Sequence, residues 1–400
     1  MADIVVKKSV LTSEQEDIIR QTLPVVGENI GEIAANFYKR MFAAHPDLLA
    51  HTFNRGNQKQ GAQQKALAAS VATFAATLID PEAPAPIELL RRIGHKHISV
   101  GIVEEQYAIV HKHLFDAIEE ILTPDVFQGA IREAWDAVYL AMQQVLVDFE
   151  KEAYTERGVK DGDVFRAAKV VEREDLSNDV VRFTVQLDDG STPAFLPGQY
   201  ISVRQTMSDG AGQLRQYSLV NASGASEGLT FAVRRVDASA ELPAGEVSTQ
   251  LVEKVQEGDA IEVSLPAGDL ILDLDSSDPV VLVSAGIGAT PMVGMLSALV
   301  AQGSTRNIVV LHADRSEAAD VLSADRAECV AKLENATERT WYEPEFMNLE
   351  DVDIPADAEI YICGGNGFLQ AVREQLVDKG IERERVHFEL FSPNDWLLDA

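Results

Sequence analysis

Cysteine is nearly absent from this chain of 400 residues, with only Cys329 and Cys363 present. Two cysteines make no disulfide framework, and such scarcity fits a reducing compartment. No window holds eighteen uninterrupted apolar residues, so no membrane-spanning helix is expected. The opening MADIVVKKSVLTSEQED lacks the apolar core of a secretory signal, and a cytoplasmic location is expected. Basic residues are also few: 34 Lys and Arg face 64 Asp and Glu, a formal charge of −30 at pH 7. That balance argues against nucleic acid and anionic membranes as partners, and describes a well-solvated surface suited to high salt. There is no fixed-period repeat and no low-complexity run. What is there is a globular composition, 46% hydrophobic, long enough for two or three domains.

The periodicity changes twice along the chain. Up to about residue 155, apolar residues recur at three and four spacing. SEQEDIIRQTLPVVGENIGEIAANFYKRMF, QQKALAASVATFAATLI and FQGAIREAWDAVYLAMQQVLVDFEKEAY all read as helices. Ser13 with Glu16 fits a capping box, and Pro81, Pro84 and Pro86 break the chain between helices. After TERGVKDGD the period becomes two. VVRFTVQL, QYISVRQ, LTFAVRRV and AIEVSLP are separated by turn residues, which predicts an antiparallel barrel or sandwich. From about residue 278, the continuous apolar strands DPVVLVSAG, NIVVLHA and EIYICG alternate with helical segments, as in a parallel sheet covered on both faces. The expected domains are all-α over 1–153, a β-barrel over 160–272 and α/β over 277–400.

Within the α/β part, SAGIGATPM follows a buried strand and opens a helix. Gly286 and Gly288 allow close backbone approach to a ligand, with Thr290 expected as N-cap and Pro291 as first helical residue. The helix end then offers N–H groups and positive potential to a pyrophosphate. The third glycine of the common dinucleotide fingerprint is missing, so alone the stretch also reads as an ordinary strand-to-helix turn. In the barrel, LPGQYISV holds Tyr200, and LRQYSLV holds Arg215, Tyr217 and Ser218. An arginine fork suits phosphate and a tyrosine can cover a flat ring, though each also has a purely structural reading.

The helical part carries two histidine pairs, His95 with His97 and His111 with His113. Residues two apart project about 200° apart on a helix, so neither pair can grip one metal. A multi-histidine zinc or di-iron site therefore fits poorly, whereas a single axial ligand to heme fits. Which of the four histidines would serve stays open on spacing alone.

The order PGQY, RQYS, AGEVSTQL, SAGIGATPM, YICGGNGF and FELFSP resembles the ferredoxin-NADP reductase family over residues 160–393. The stretch ANFYKRMFAAHPDLLAHTFNRGNQKQGAQQKAL followed by IGHKHISVGIVEEQY resembles the globin domain of flavohemoglobins, so that the likeness spans essentially the whole chain. The resemblance implies a globin fold holding heme b, a β-barrel holding FAD, and an α/β domain holding NADH or NADPH. It makes His97 the proximal iron ligand, with Tyr107 and Glu152 as its hydrogen-bonded partners. Tyr38 and Gln63 would point into the distal pocket, Leu67 and Phe53 would pack over the heme, and Lys96 would lie nearby. FAD would meet Tyr200, Arg215, Gln216, Tyr217, Ser218, Ser248, Glu389, Leu390, Phe391, Ser392 and Pro393. The nucleotide would meet Gly286, Ile287, Gly288, Ala289, Thr290 and Pro291, with Cys363 and Gly364 near hydride transfer. Arg315 and Ser316 could meet a 2′-phosphate. Gly365 departs from the family's usual proline, and Trp396 in the tail has no assigned role.

The activity so implied is a monomeric nitric oxide dioxygenase, taking nitric oxide and oxygen to nitrate. Two rivals stand beside it. A sensor or carrier of oxygen or nitric oxide would need no reductase. A flavin reductase acting on peroxides, ferric iron or quinones would leave the distal residues without purpose.

Overall fold

The computed structural model describes residues 4–6, 10–56, 62–80, 86–123, 125–224, 228–238 and 243–391. They form two compact units, one of residues 1–165 with 206–214, the other of 166–205 with 215–392.

The first unit is helical: α1 Ser13–Glu28, α2 Ile30–Ala44, α3 Pro46–His51, α4 Ala62–Ile79, α5 Ile87–Val100, α6 Glu104–Leu122 and α7 Gly129–Glu156. The α1 cap lies one residue earlier than expected. Thr12 Oγ1 accepts from Gln15 N at 3.2 Å, and Gln15 Oε1 accepts from Thr12 N at 2.9 Å. Either pair satisfies the S/T-x-x-E/Q pattern, and the extended backbone of Thr12 selects the first. The core is a single cluster in which Phe37, Met41, Phe74, Leu90, Val138 and Phe149 are essentially excluded from solvent. Helices α5 and α7 approach closely at Gly94, where any Cβ would overlap the Phe149 ring. An apolar cavity lies against Val26, Ile33, Leu67, Val71, Phe115 and Trp135. Helix α5 ends at Gly101, which takes φ 74° as a left-handed cap. Among the described residues no helix is long and apolar enough to cross a membrane.

Two sheets follow the helices in the chain. One orders its strands β4-β3-β6-β1-β2-β5, with β1 Phe165–Asp175, β2 Val180–Leu187, β3 Tyr200–Thr206, β4 Gly212–Ser218, β5 Leu229–Arg234 and β6 Ala260–Ser264. Its β1–β2, β2–β5 and β3–β6 pairings are antiparallel. Strand β2 alternates buried and half-buried residues, the expected pattern of a sheet with one covered face. Helix α8 Glu246–Lys254 precedes β6.

The other sheet is parallel and runs β11-β10-β7-β8-β9: β7 Val280–Ala285, β8 Ile308–Asp314, β9 Ala336–Tyr342, β10 Glu359–Gly364 and β11 Val386–Leu390. Residues Val280 to Val283 and Ile360 to Gly364 are all buried, as strands covered on both faces must be. The crossovers carry α9 Ala289–Gln302, α10 Ser323–Lys332 and α11 Asn366–Asp378.

Candidate functional site

In the helical unit, the last turn of α5 presents His97, and α6 and α7 bring two polar groups to it. His97 Nδ1 lies 2.8 Å from Glu150 Oε1 and 2.9 Å from the Tyr107 hydroxyl, which itself donates to Glu150 Oε1 at 2.6 Å. Glu150 is 2% exposed, so its charge is compensated by these two donors rather than by water. Burial, together with the neighbouring Glu150 carboxylate, pushes the Tyr107 phenol far above its ordinary range, so it stays a donor. A carboxylate on Nδ1 fixes the tautomer that carries its proton there. Among the described residues His97 Nε2 has no partner, and the side chain is 30% exposed. One imidazole nitrogen is held and the other is presented, which suits a single axial ligand to heme iron.

This geometry corrects one expectation. Glu152 does not touch His97; it is exposed, while Glu150 takes the role. The two lie two residues apart on α7, on opposite faces, so only one can face the core. The signal was present in the sequence. Glu150 continues the stripe of Tyr139, Met142 and Leu146 toward Ala153 and Tyr154, all buried. An acidic residue inside an apolar stripe is the one that needs a partner.

The other three histidines of the two pairs sit in different surroundings. His95 is 2% exposed, its ring 5.3 Å from that of Phe149, and burial, with Arg157 and Arg91 nearby, lowers its pKa to about 3. His111 Nε2 pairs with Asp136 at 2.5 Å. His113 is buried with its ring edge-on to His45 at 5.4 Å.

Tyr38, 4% exposed, is surrounded by the rings of Phe37, Phe42 and Phe53 at 4.6, 5.6 and 5.9 Å. Leu67 and Phe53 are half-buried against the same core. Gln63 belongs to the first turn of α4, but its side chain lies outside the described residues. Lys96 is exposed on α5.

In the second unit, Arg215, Gln216, Tyr217 and Ser218 close strand β4. Gln216 donates to Ser202 Oγ at 2.8 Å, and the Tyr217 ring stacks on Phe231 at 5.5 Å and 23°. Tyr200 opens β3, 7% exposed, with its ring where a Cβ on Gly268 would sit 3.0 Å away. Ser248 lies in the first turn of α8, accepting from Val236 N at 3.2 Å; among the described residues no side chain caps that helix. Of these, Arg215, Gln216 and Tyr217 are half-buried, while Tyr200, Ser218 and Ser248 are buried; an arginine, tyrosine rings and a helix N-terminus are groups that suit a dinucleotide's phosphates and ring.

The turn after β7 is tight. Gly286 takes φ 54°, and a Cβ on Gly288 would collide with the Cys363 carbonyl on β10. Helix α9 starts at Ala289 with Gly288 as its cap, which corrects the expected start. Thr290 is not the cap: its hydroxyl donates to Ile287 O at 2.9 Å, and Pro291 is the third helical residue. The short 3-10 turn of Gly286–Gly288 brings the chain into helical geometry two residues early. Cys363 is buried opposite Ser284 and Glu389 in register, and burial with the nearby Glu389 charge pushes its thiol well up. Glu389 and Leu390 end β11; Phe391 follows, 51% exposed. Ser392, Pro393 and Trp396 lie outside the described residues. Arg315 and Ser316 are exposed after β8.

Three family models match the chain in order: Globin over residues 35–146, Oxidoreductase FAD-binding domain over 167–271 and Oxidoreductase NAD-binding domain over 282–374. The flavohemoprotein of Bordetella parapertussis is 37% identical, covering 95% of this chain and 98% of its own. That of Bacillus thuringiensis is 35% identical over 96% and 98%. The chain belongs to the flavohemoprotein family. The crystal structure of a flavohemoglobin from Malassezia yamatoensis with bound FAD and heme is similar at TM-score 0.87 and 32% identity, covering 96% of this chain and all of that one. The FAD/NAD-binding domain of a nitric oxide dioxygenase from Vibrio cholerae is similar at TM-score 0.53 and 32% identity, over 57% of this chain and 99% of its own. This flavohemoprotein is therefore an oxidoreductase with globin, flavin and nicotinamide-nucleotide domains.

Proposed function

We propose that this flavohemoprotein is a nitric oxide dioxygenase, converting nitric oxide and dioxygen to nitrate with electrons from NADH or NADPH. The observation that carries this reading is the buried Glu150 carboxylate on His97 Nδ1. FAD and heme b, when bound, supply the conversion of a two-electron hydride into single electrons and the oxygen chemistry. The chain's side chains do the rest. Glu150 draws on the Nδ1 proton of His97 and so strengthens the Nε2 lone pair, which favours activating oxygen over carrying it. Tyr107 holds Glu150 in place. Tyr38 and Gln63 would donate to negative charge developing on oxygen in a site kept dry by Phe53 and Leu67. Arg215 to Ser218 with Tyr200 and Ser248 would hold the flavin, and Gly286 to Pro291 the nucleotide's phosphates. The Vibrio cholerae relative, a nitric oxide dioxygenase by name, supports the same reading. A monomer acting in the cytoplasm fits it.

The test follows nitric oxide with an electrode in purified holoprotein supplied with NADH, with and without oxygen. The expected result is oxygen-dependent loss of nitric oxide with one nitrate formed per molecule consumed. Tyr38→Phe should slow this about a hundredfold while flavin reduction by NADH is unchanged. Oxygen-independent transfer to peroxides or ferric iron with no nitrate would instead make it a flavin reductase. Binding of nitric oxide without turnover would make it a sensor.

A further inference from the structure

The reductase unit buries a second histidine whose surroundings the proposed reaction does not use. His312 on β8 is fully buried, and its Nδ1 lies 2.8 Å from Ser284 Oγ, its register partner on β7. Among the described residues its Nε2 has no hydrogen-bond partner within bonding distance. It faces Asp320 Oδ1 at 3.4 Å and Asp314 Oδ2 at 3.8 Å, and the three atoms lie within 4.8 Å of one another.

The hydrogen bonds around the two carboxylates leave these same atoms over. Asp320 Oδ1 accepts from Arg326 Nη1 at 2.8 Å, and Oδ2 accepts from Arg326 Nη2 at 2.7 Å and Tyr342 at 3.0 Å. A carboxylate offers about four lone-pair sites, so one remains, on the oxygen nearest His312. Asp314 Oδ1 accepts from Arg315 N at 2.7 Å, which leaves Oδ2 toward the histidine. Donor spacings of 3.4 and 3.8 Å are too long for good hydrogen bonds. They are close to the separation of about 3.3 Å between ligands of a tetrahedral ion with bonds of about 2.0 Å.

We propose that His312, Asp314 and Asp320 bind a divalent transition-metal ion at the carboxyl end of β8. One imidazole with two carboxylates, a fourth position open and a second shell of Ser284, Arg326 and Tyr342 suits zinc. Ser284 then accepts from Nδ1–H, which fixes the tautomer that exposes Nε2. The ion ties the end of β8 to the turn before α10, and so stabilises the outer half of the parallel sheet. The site goes beyond the dioxygenase reading and does not depend on it.

The experiment treats heme- and FAD-loaded full-length protein with a chelator, then titrates it with zinc chloride by calorimetry and element analysis. One zinc per chain beyond the heme iron is expected. His312→Gln and Asp314→Asn should each weaken it at least tenfold while keeping the flavin and heme spectra. The zinc K-edge spectrum of the wild-type protein needs no variant, and should show a nitrogen and oxygen shell with a single imidazole. Absence of saturable binding, equal binding by the variants, or a shell with several imidazoles or sulfur would each overturn the assignment.

Discussion

The two halves of the chain build precise geometry in opposite ways. Around His97 the helical unit adds atoms: a carboxylate and a phenol converge on one ring nitrogen. Around the β7–α9 turn the reductase unit removes them, since Gly288 and Gly364 leave no side chain where Cys363 and Phe368 pack. The first site should fail when a group is lost, the second when one is gained. Substitutions that subtract from one and add to the other test that contrast directly.

Of the substitutions at the two sites compared, the largest loss of turnover is expected from Glu150→Gln. It keeps the side chain's shape but removes the charge that faces His97 Nδ1, and outer-shell partners of this kind are worth about 10- to 100-fold in activity or affinity. Turnover of nitric oxide should fall within that range, with NADH-driven flavin reduction intact. The iron–histidine stretching frequency, read by resonance Raman, should drop. Glu152→Gln, two residues away and exposed, should change neither. Equal effects of the two substitutions would undo the assignment of Glu150.

Next comes the converse experiment, Gly288→Ala. A single methyl there meets the Cys363 carbonyl, a backbone atom that cannot rotate aside. Overpacking of this kind costs about 3 kcal/mol, and thermal unfolding monitored by flavin fluorescence should register it. KM for NADH should rise as the turn is displaced. Gly365→Ala, whose new methyl would meet nothing within 4 Å among the described residues, serves as the control that adds the same atom harmlessly.

Tyr107→Phe should cost less, about 1.5 kcal/mol, because it deletes one donor to a buried charge that keeps another in His97. Chemical denaturation of the holoprotein measures it. A drop in turnover smaller than that of Glu150→Gln would place Tyr107 as the group that positions the carboxylate.

How far the sequence reached follows the same division. The helical, antiparallel and parallel segments were legible because burial imposes a period, and the period is written in residue type. The turn glycines were legible because close approach demands them. The polar partners were read less well. Glu152 and Glu150 differ in composition by nothing; only the phase of α7 against the core separates them, and an apolar stripe through Tyr139, Met142 and Leu146 had to be followed to find it. Helix starts slipped by one or two residues at Thr12 and at Ala289, where neighbouring residues offer equally good caps and tertiary backbone geometry chooses. His312, Asp314, Asp320 and Arg326 fit no short motif and span three successive elements, so only folding brings them together.

The smallest effect, and one of opposite sign, concerns Gly365. Most of this chain's tight glycines sit where a side chain would clash or where φ is positive, but Gly365 does neither: φ is −71° and ψ 158°, and among the described residues a Cβ there would meet nothing within 4 Å. That is the conformation proline imposes, just before the first residue of α11. The residue ahead of it, Gly364, closes an extended strand, as a residue before proline must. No bond from the Gly365 N–H would be lost among the described residues, and its carbonyl still accepts from Leu369 N at 3.0 Å. Gly365→Pro should therefore stabilise the protein by about 0.4–1 kcal/mol by restricting the unfolded chain, with KM for NADH unchanged. Calorimetric melting of wild type and variant reads the shift. A destabilised variant would mean that the turn at Cys363 and Gly364 depends on a freedom that only glycine gives, and would set it with Gly288 rather than apart from it.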